Sequence, residues 1–412
     1  MLNQIKLKAP SGIDATITLP SSKSICNRAL IMHYLADNKG KLDNLSDCDD
    51  TAVMVRALDS MPPIIDIMAA GTAMRFLTAC LSVVPGTHVI TGTARMLQRP
   101  IGILVDALRS LGASVRYAGN EGFPPLEITG AALRGGHIAL PGNVSSQYVS
   151  ALLMIGPMLA EGLRLTLTGT VVSRPYILLT VQLMQEFGAR VVWHSDHEIE
   201  VMPGGYTPVE YYRVESDWSA ASYWYEMAAL APQAVVRLPY LSANSFQGDS
   251  KVAVLFEQLG VTTHYTASGV ELRKSGKRVE RFEYDFVEQP DLAQTFVVTC
   301  ALLGIPFHFY GLQSLKIKET DRIYALKTEM RKLGYVIHDA NDSELYWEGE
   351  RCQTDLSQGI DTYEDHRMAM AFAPACFVLD ELRINAPEVV SKSYPHFWDN
   401  LIHTGFTILE SK

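Results

Sequence analysis

The chain has 412 residues, of which 48% are hydrophobic and 19% charged, and its net charge is −10 at neutral pH. Such a length holds about two or three domains, the apolar content supplies a core, and the composition excludes a largely disordered chain. The acidic balance excludes broad sequence-independent nucleic-acid binding, which needs a basic face to release counterions, so any anion site has to be a local cationic pocket.

Cys26, Cys48, Cys80, Cys300, Cys352 and Cys376 lie far apart with no CxxC pair and read as reduced, mostly buried thiols. The opening MLNQIKLKAPSGID lacks the apolar segment of a secretion signal. The longest apolar runs, Ala151–Ala160 and Thr295–Phe307, are shorter than the ~18 residues that suggest a membrane span. A cytoplasmic protein that touches no membrane is expected.

In chain order, LPSSKSICNRALIMHYLA (Leu19–Ala36) sets small hydroxyl residues before an apolar-periodic helix. Ser21, Ser22 and Ser24 offer caps and amides there, and Lys23 and Arg28 add two cations, which makes an anion site or an ordinary Ser-capped amphipathic helix. AAGTAMRFLTACLS (Ala69–Ser82) repeats the arrangement: Gly71 and Thr72 open a helix, Gly permits close approach to the backbone, and Arg75 sits one turn in, where it can fork onto an anion. Arg99, just before Pro100, suits a first helical turn.

GNVSSQYVSALLMIGPML (Gly142–Leu159) opens another helix with Ser145, Ser146 and Gln147. VVSRPYI (Val171–Ile177) places Ser173, Arg174 and Tyr176 at a similar point, and such donors suit sugar-like hydroxyls and a phosphate, a solvated loop being the alternative. HSDHE (His194–Glu198) reads as a surface hairpin rather than a metal site.

LKIKETDRIYALKTEMRKLG (Leu315–Gly334) packs Lys316, Lys318, Glu319, Asp321 and Arg322 into a helix entry. Neighbouring Lys318 and Glu319 can tune each other's pKa, so that Glu319 exchanges a proton while Lys318 or Arg322 holds an anion; the rival reading is an exposed salt-bridge ladder. Asp291 in EQPDLAQTF, Asp365, His366 and Arg367 in TYEDHRMAMAFAPACF, and Lys392 in SKSYPHF complete the set, with no chemical role assigned to His366.

Helices that close on a glycine and run into a β-like segment recur at Gly112, Gly188, Gly260 and Gly334, at intervals of 76, 72 and 74 residues. A fifth copy closes the chain at Gly405, and VMVRALDSMPPII near residue 60 looks like a shortened one without the glycine. The repeat predicts an α/β protein of six strand-helix-strand units grouped as two similar domains of three, each with pseudo-threefold symmetry. The chain lacks GxxxxGK[ST], GxGxxG after a strand, GxSxG and HExxH, so neither a metal nor a cofactor is expected.

The blocks LPSSKSICNRAL, AAGTAMR, QRPIG, NVSSQY, SRPY, ESDWSAASY, QGD, PD, KETDR, EDHRMAM and SKSYP, in that order from residue 14 to residue 400, resemble the 5-enolpyruvylshikimate-3-phosphate synthase family. Sibling enolpyruvyl transferases acting on UDP-N-acetylglucosamine share the fold but lack KETDR. The resemblance implies transfer of the carboxyvinyl group of phosphoenolpyruvate to the 5-hydroxyl of shikimate 3-phosphate, with release of phosphate. It implies an inside-out α/β barrel fold, with an N-terminal domain over 20–214, a C-terminal domain over 1–19 and 215–412, the active site in the cleft between them, and a monomer.

By the same resemblance Lys23, Gly71, Arg99, Gln147, Arg322, Arg367 and Lys392 match phosphoenolpyruvate ligands. Lys23, Ser24, Arg28, Ser145, Ser146, Gln147, Ser173, Tyr176, Asp291, Ser314 and Lys318 match ligands of shikimate 3-phosphate. Lys23, Asp291 and Glu319 match catalytic residues: Asp291 takes the 5-hydroxyl proton and Glu319 protonates the methylene carbon, through a tetrahedral intermediate. Two departures stand out: Ile67, Met68 and Ala69 replace the usual Leu-Gly-Asn, with a short chain between Asp50 and Gly71, and Ser314 stands where Asn is common. A paralogue that only binds anionic metabolites and a transferase with another acceptor are the rival readings.

Overall fold

The computed structural model describes residues 4–411. They form two compact units, one comprising the chain up to Pro20 with everything from Ser216 onward, the other Ser21–Glu215.

One element pattern recurs within both units. In the Ser21–Glu215 unit, strand Ile64–Asp66 leads through helix Gly71–Val83 to a parallel strand, Gly86–Thr91, as a parallel pair requires a crossover. Helix Gly102–Ser110 follows, and the hairpin Ser114–Tyr117 and Leu126–Gly130 completes the sheet, with Leu126–Gly130 antiparallel to Gly86–Thr91. The same order gives the sheet of Gly136–Pro141, Leu163–Thr168, Val191–Ser195 and Glu198–Val201, around helices Ser146–Ile155 and Arg174–Glu186. His194 to Glu198 form the tip of that last hairpin.

The other unit repeats it with helices Trp218–Leu230 and Ala293–Leu303 as the crossovers. Its first sheet borrows Ile13–Thr16 as a strand parallel to Ala234–Pro239, and its last sheet borrows Gln4–Lys8, antiparallel to both Leu382–Asn385 and Thr407–Ser411. The first unit of the chain is trimmed: helices Lys23–Leu35 and Asp49–Ser60 flank a two-stranded parallel sheet of Lys41–Asp43 and Tyr211–Arg213. Where the next two repeats carry a hairpin, Met61 turns left-handed (φ 39°) and the chain passes through Pro62 and Pro63 into the next strand.

Gly112, Gly188, Gly260, Gly334 and Gly405 close their helices with φ between 83° and 95°, backbone that a Cβ disfavours. The crossover helices Gly71–Val83, Ser146–Ile155, Trp218–Leu230 and Ala293–Leu303 are buried nearly all round, so apolar residues occupy every face rather than one stripe. Phe296, on Ala293–Leu303, packs its ring 4.8 Å from Phe256 and 5.4 Å from Phe286, which fixes the helix whose entry carries Asp291. In the repeats built on four-stranded sheets the helices are the crossovers that follow the parallel strands, so their N-termini stand at the end of the sheet where those strands finish.

Candidate active site

Those helix entries are where the motif residues stand. In the Ser21–Glu215 unit Lys23 begins Lys23–Leu35, and its Nζ lies 3.2 Å from Asp50 Oδ2, at the start of Asp49–Ser60. Gly71 begins Gly71–Val83 with Arg99 packed against its Cα: a Cβ there would lie 2.5 Å from Arg99 Nη1. Gln147 Nε2 donates to Thr72 Oγ1 at 3.1 Å, which brings the Ser146–Ile155 entry to the same place. Ser145 caps that helix by accepting from the Gln147 N–H, while Ser24, Ser146, Ser173 and Tyr176 are partly exposed at neighbouring entries.

Three local expectations need correction. Ser22 occupies the N-cap position but makes no side-chain capping bond, and its hydroxyl is buried. Arg75 points inward and donates to the carbonyls of Gly71 and Pro100, both at 3.1 Å. Tyr148 Oη donates to the same Pro100 carbonyl at 2.6 Å, so Arg75 and Tyr148 hold the Arg99 segment in place instead of meeting an anion. Arg174 turns to Asp196 at 2.6 Å and stacks over Trp193, on the hairpin side.

Arg28 is also turned inward. Its guanidinium donates to Thr180 Oγ1 at 2.7 Å, Ser150 Oγ at 3.2 Å and the Ser24 carbonyl at 2.8 Å, tying three helices together. Burial lowers its pKa to about 10, which leaves it charged at neutral pH.

The other unit builds a denser arrangement. Arg322, 1% exposed, donates through Nε to Asp365 Oδ2 at 2.6 Å, through Nη1 to Asp291 Oδ1 at 3.1 Å and through Nη2 to Glu319 Oε2 at 3.0 Å. The Gln294 side-chain amide lies against the same guanidinium, and turned so that its oxygen faces Arg322 it accepts from Nε at 2.9 Å. Arg367 Nη2 donates to Asp291 Oδ2 at 2.9 Å, Lys318 Nζ lies 3.6 Å from Asp291 Oδ1, and Lys392 Nζ lies 3.0 Å from Glu319 Oε1. Asp365 caps its helix by accepting from the Arg367 N–H, and Asp321 caps Arg322–Lys332 by accepting from Tyr324. Ser314 lies on the short turn Gln313–Ile317 that leads to Lys318.

Lys318 and Glu319, expected to tune each other, have different partners: Lys318 goes to Asp291, and Glu319 to Arg322 and Lys392. The exposed ladder exists only at Lys316, which pairs with Asp321 and Asp342. Burial alone raises the Asp291 carboxyl, but Arg367, Lys318 and Arg322 outweigh it and hold it well below the usual carboxylate range. For Arg322, burial lowers the pKa, and Asp365, Glu319 and Asp291 more than restore it.

Sequence reading missed several members. Asp50, Gln294, the role of Asp365, and Tyr223, whose hydroxyl accepts from Arg367 Nη1 at 3.4 Å, carry no local signature beyond a helix start or a buried face. Asp249, in the QGD block, was readable as a motif only: it is buried, accepts from the Ser219 hydroxyl, and burial followed by the charge of Asp291 lifts its pKa to about 7. Among the described residues no group of three His, Cys, Asp or Glu could hold a metal ion, and no helix is long and apolar enough to cross a membrane.

Taken together, the fold and site define an α/β protein of repeated units whose helix entries concentrate cations with a few matched carboxylates, an arrangement suited to polyanionic small molecules. The sequence profile of EPSP synthase (3-phosphoshikimate 1-carboxyvinyltransferase) matches residues 7–64 and 61–401, and the chain belongs to that family. It is 62% identical over 402 residues to a 3-phosphoshikimate 1-carboxyvinyltransferase of Bacteroides fragilis, covering 98% of each chain. To the enzyme of that name from Shewanella pealeana it is 36% identical, covering 97% of this chain and 98% of the other. An EPSP synthase structure from Acinetobacter baumannii shares the fold with a TM-score of 0.82 at 22% identity, covering the whole of both chains.

Proposed function

We propose that the chain transfers the carboxyvinyl group of phosphoenolpyruvate to the 5-hydroxyl of shikimate 3-phosphate and releases phosphate. One observation carries the assignment of roles: the buried Arg322 holds Asp291 and Glu319 at 3.1 and 3.0 Å, so a candidate base and a candidate acid are fixed on either side of one cation. In the addition step the 5-hydroxyl oxygen bonds to C2 of phosphoenolpyruvate, its proton passes to Asp291, and Glu319 gives a proton to C3. The tetrahedral intermediate then breaks its C2–O bond to phosphate, and the new methyl group returns a proton, so that an enol ether and phosphate leave.

Arg322, Arg367 and Lys392 are the phosphoenolpyruvate ligands of the Asp291 cluster, and Lys23, Gly71, Arg99 and Gln147 are those of the Gly71 and Ser146 helix entries. Ser24, Arg28, Ser145, Ser146, Ser173, Tyr176, Ser314 and Lys318 hold shikimate 3-phosphate, Arg28 from its buried position as a brace for Ser24. The depressed Asp291 suits this scheme. Once a bound carboxylate shares Arg322 and Arg367, the cations that weaken Asp291 as a base are partly neutralised, so its basicity rises when substrate is present. This reaction needs positioned proton donors, acceptors and charge clamps.

The test is phosphate release from purified protein given phosphoenolpyruvate with and without shikimate 3-phosphate, with the organic product identified by mass. Release that requires both substrates and yields the enol ether is the expected result. Binding of shikimate 3-phosphate without turnover would replace this reading with a binding-only role.

A further inference from the structure

The segment Thr362–Asp365 delivers Asp365 and Arg367 to the cluster through an unfavourable backbone. Tyr363 and Glu364 are both left-handed, with φ of 54° and 56°, and the Asp365 N–H donates to the Thr362 carbonyl at 2.8 Å. Two successive positive φ values closed by such a bond are the mark of a type I′ turn, a position for Gly, Asn or Asp because other side chains crowd the following carbonyl. The same unit has the ordinary version: Asn341 and Asp342, at φ 53° and 55°, turn the hairpin between His338–Ala340 and Glu344–Trp347. Tyr and Glu have no such local tolerance, so contacts outside the turn must hold it.

Those contacts converge on Glu329, fully buried on the helix that begins with Arg322. Tyr363 Oη donates to Glu329 Oε1 at 2.6 Å, and the Asp361 N–H donates to Oε2 at 3.0 Å. Lys332 Nζ bridges Glu329 Oε2 and Asp361 Oδ2, both at 2.8 Å, and Asn385 Nδ2 donates to Asp361 Oδ1 at 2.6 Å. One helix thus presents Arg322 at its entry and, two turns on, grips the loop whose next residue is the Arg322 partner Asp365.

We infer that Glu329 and Tyr363 are positioning residues, which clamp the left-handed turn so that Asp365 and Arg367 meet Arg322 and Asp291 in register for phosphoenolpyruvate. The inference rests on the carboxyvinyl-transfer reading above. Tyr363→Phe deletes the gripping oxygen and keeps the ring. It should raise KM for phosphoenolpyruvate about tenfold while kcat and KM for shikimate 3-phosphate stay within about twofold. Glu329→Gln, which exchanges one acceptor oxygen for a donor, should reproduce that split.

Glycine supplies the discriminating measurement, because it adopts left-handed backbone at no steric cost. Glu364 is exposed, so Glu364→Gly alone should leave the constants within about twofold, whereas adding it to Tyr363→Phe should return KM to within about threefold of the unmodified protein. A lower melting temperature with unchanged KM, or a double variant with no recovery, would overturn the inference. If the unmodified protein releases no phosphate with both substrates, the underlying reading fails first; normal turnover together with an unaltered Tyr363→Phe variant removes the clamp alone.

Discussion

The two units answer the same need with different chemistry. In Ser21–Glu215 the helix entries offer backbone amides, hydroxyls and a carboxamide, with Lys23 and Arg99 as the cations and Asp50 holding Lys23. In the other unit Lys318, Arg322, Arg367 and Lys392 interlock with Asp291, Glu319 and Asp365, four cations against three carboxylates. Stability does not explain the second arrangement, since desolvating so many charges costs about what their attraction returns. A network of this kind fixes geometry and provides groups that exchange protons. On the proposed roles the first half holds anions and the second both holds them and moves protons, and substitutions in the two halves should therefore fail in different ways.

The largest separation is expected from Glu319→Gln. The amide keeps the size and one acceptor for Arg322 and Lys392 but cannot give up the proton the addition step needs, so kcat should fall by about 10²–10⁴-fold with KM for both substrates changed much less. Steady-state kinetics with matched binding measurements checks this. Near-normal turnover would remove the acid from the proton-handling half and leave two anion-holding halves.

Next in size is a stability effect confined to the same half. Asp249 Oδ1 is buried without a hydrogen-bond partner among the described residues, Oδ2 accepts from Ser219, and the charges that act on it are Asp291, Arg367 and Asp217. Burial first, then Asp291, raises its pKa from 3.8 to about 7. The folded state therefore binds more protons than the unfolded state between about pH 4 and pH 7, and stability contributed at this site falls as pH rises through that window. Asp249→Asn has no such titration, so its unfolding free energy should match that of the unmodified protein near pH 4 and exceed it above pH 7 by roughly 2–4 kcal/mol. Urea unfolding at several pH values measures the gap, and parallel curves would show that Asp249 is charged throughout.

Much of this molecule is legible locally because the repeat is punctuated by glycine. A helix ending at Gly112 or Gly260 needs left-handed backbone whatever surrounds it, so the repeat can be read from spacing, and the short run between Asp50 and Gly71 already signals a unit without room for its hairpin. Helix entries are legible for the same reason: small, hydroxyl and acidic residues announce them. Direction is not. Arg75 and Arg99 both lie close to the Gly71 helix entry, yet one braces Pro100 from inside and the other lies over Gly71, a choice made by Tyr148 and Met96 from distant segments. Partner choice across the chain is equally hidden, as with Lys23 and Asp50, or Glu329 and Tyr363, which no periodicity connects. The strands at Ile13–Thr16 and Tyr211–Arg213 are too short to announce a partner in sequence; they pair with Ala234–Pro239 and Lys41–Asp43, far away in the chain.

The smallest expected effect is also the cleanest probe of the anion-holding half. Gly71→Ala would place a Cβ 2.5 Å from Arg99 Nη1 and 3.0 Å from Cζ and Nη2, all at the far end of a flexible side chain. The guanidinium can swing aside, so the fold should tolerate the change. Alanine even favours the helix that begins there, by up to about 1 kcal/mol in a helix interior and less at its first residue. What the substitution takes away is the position of Arg99 over Gly71, the entry proposed to receive phosphoenolpyruvate. KM for phosphoenolpyruvate should rise about tenfold, with kcat nearly unchanged and the melting temperature equal or slightly higher. Stability and affinity then move in opposite directions, unlike the loss of turnover expected at Glu319. If kcat collapses instead while KM holds, Gly71 and Arg99 act in the proton-transfer step, and the division of labour between the two units fails.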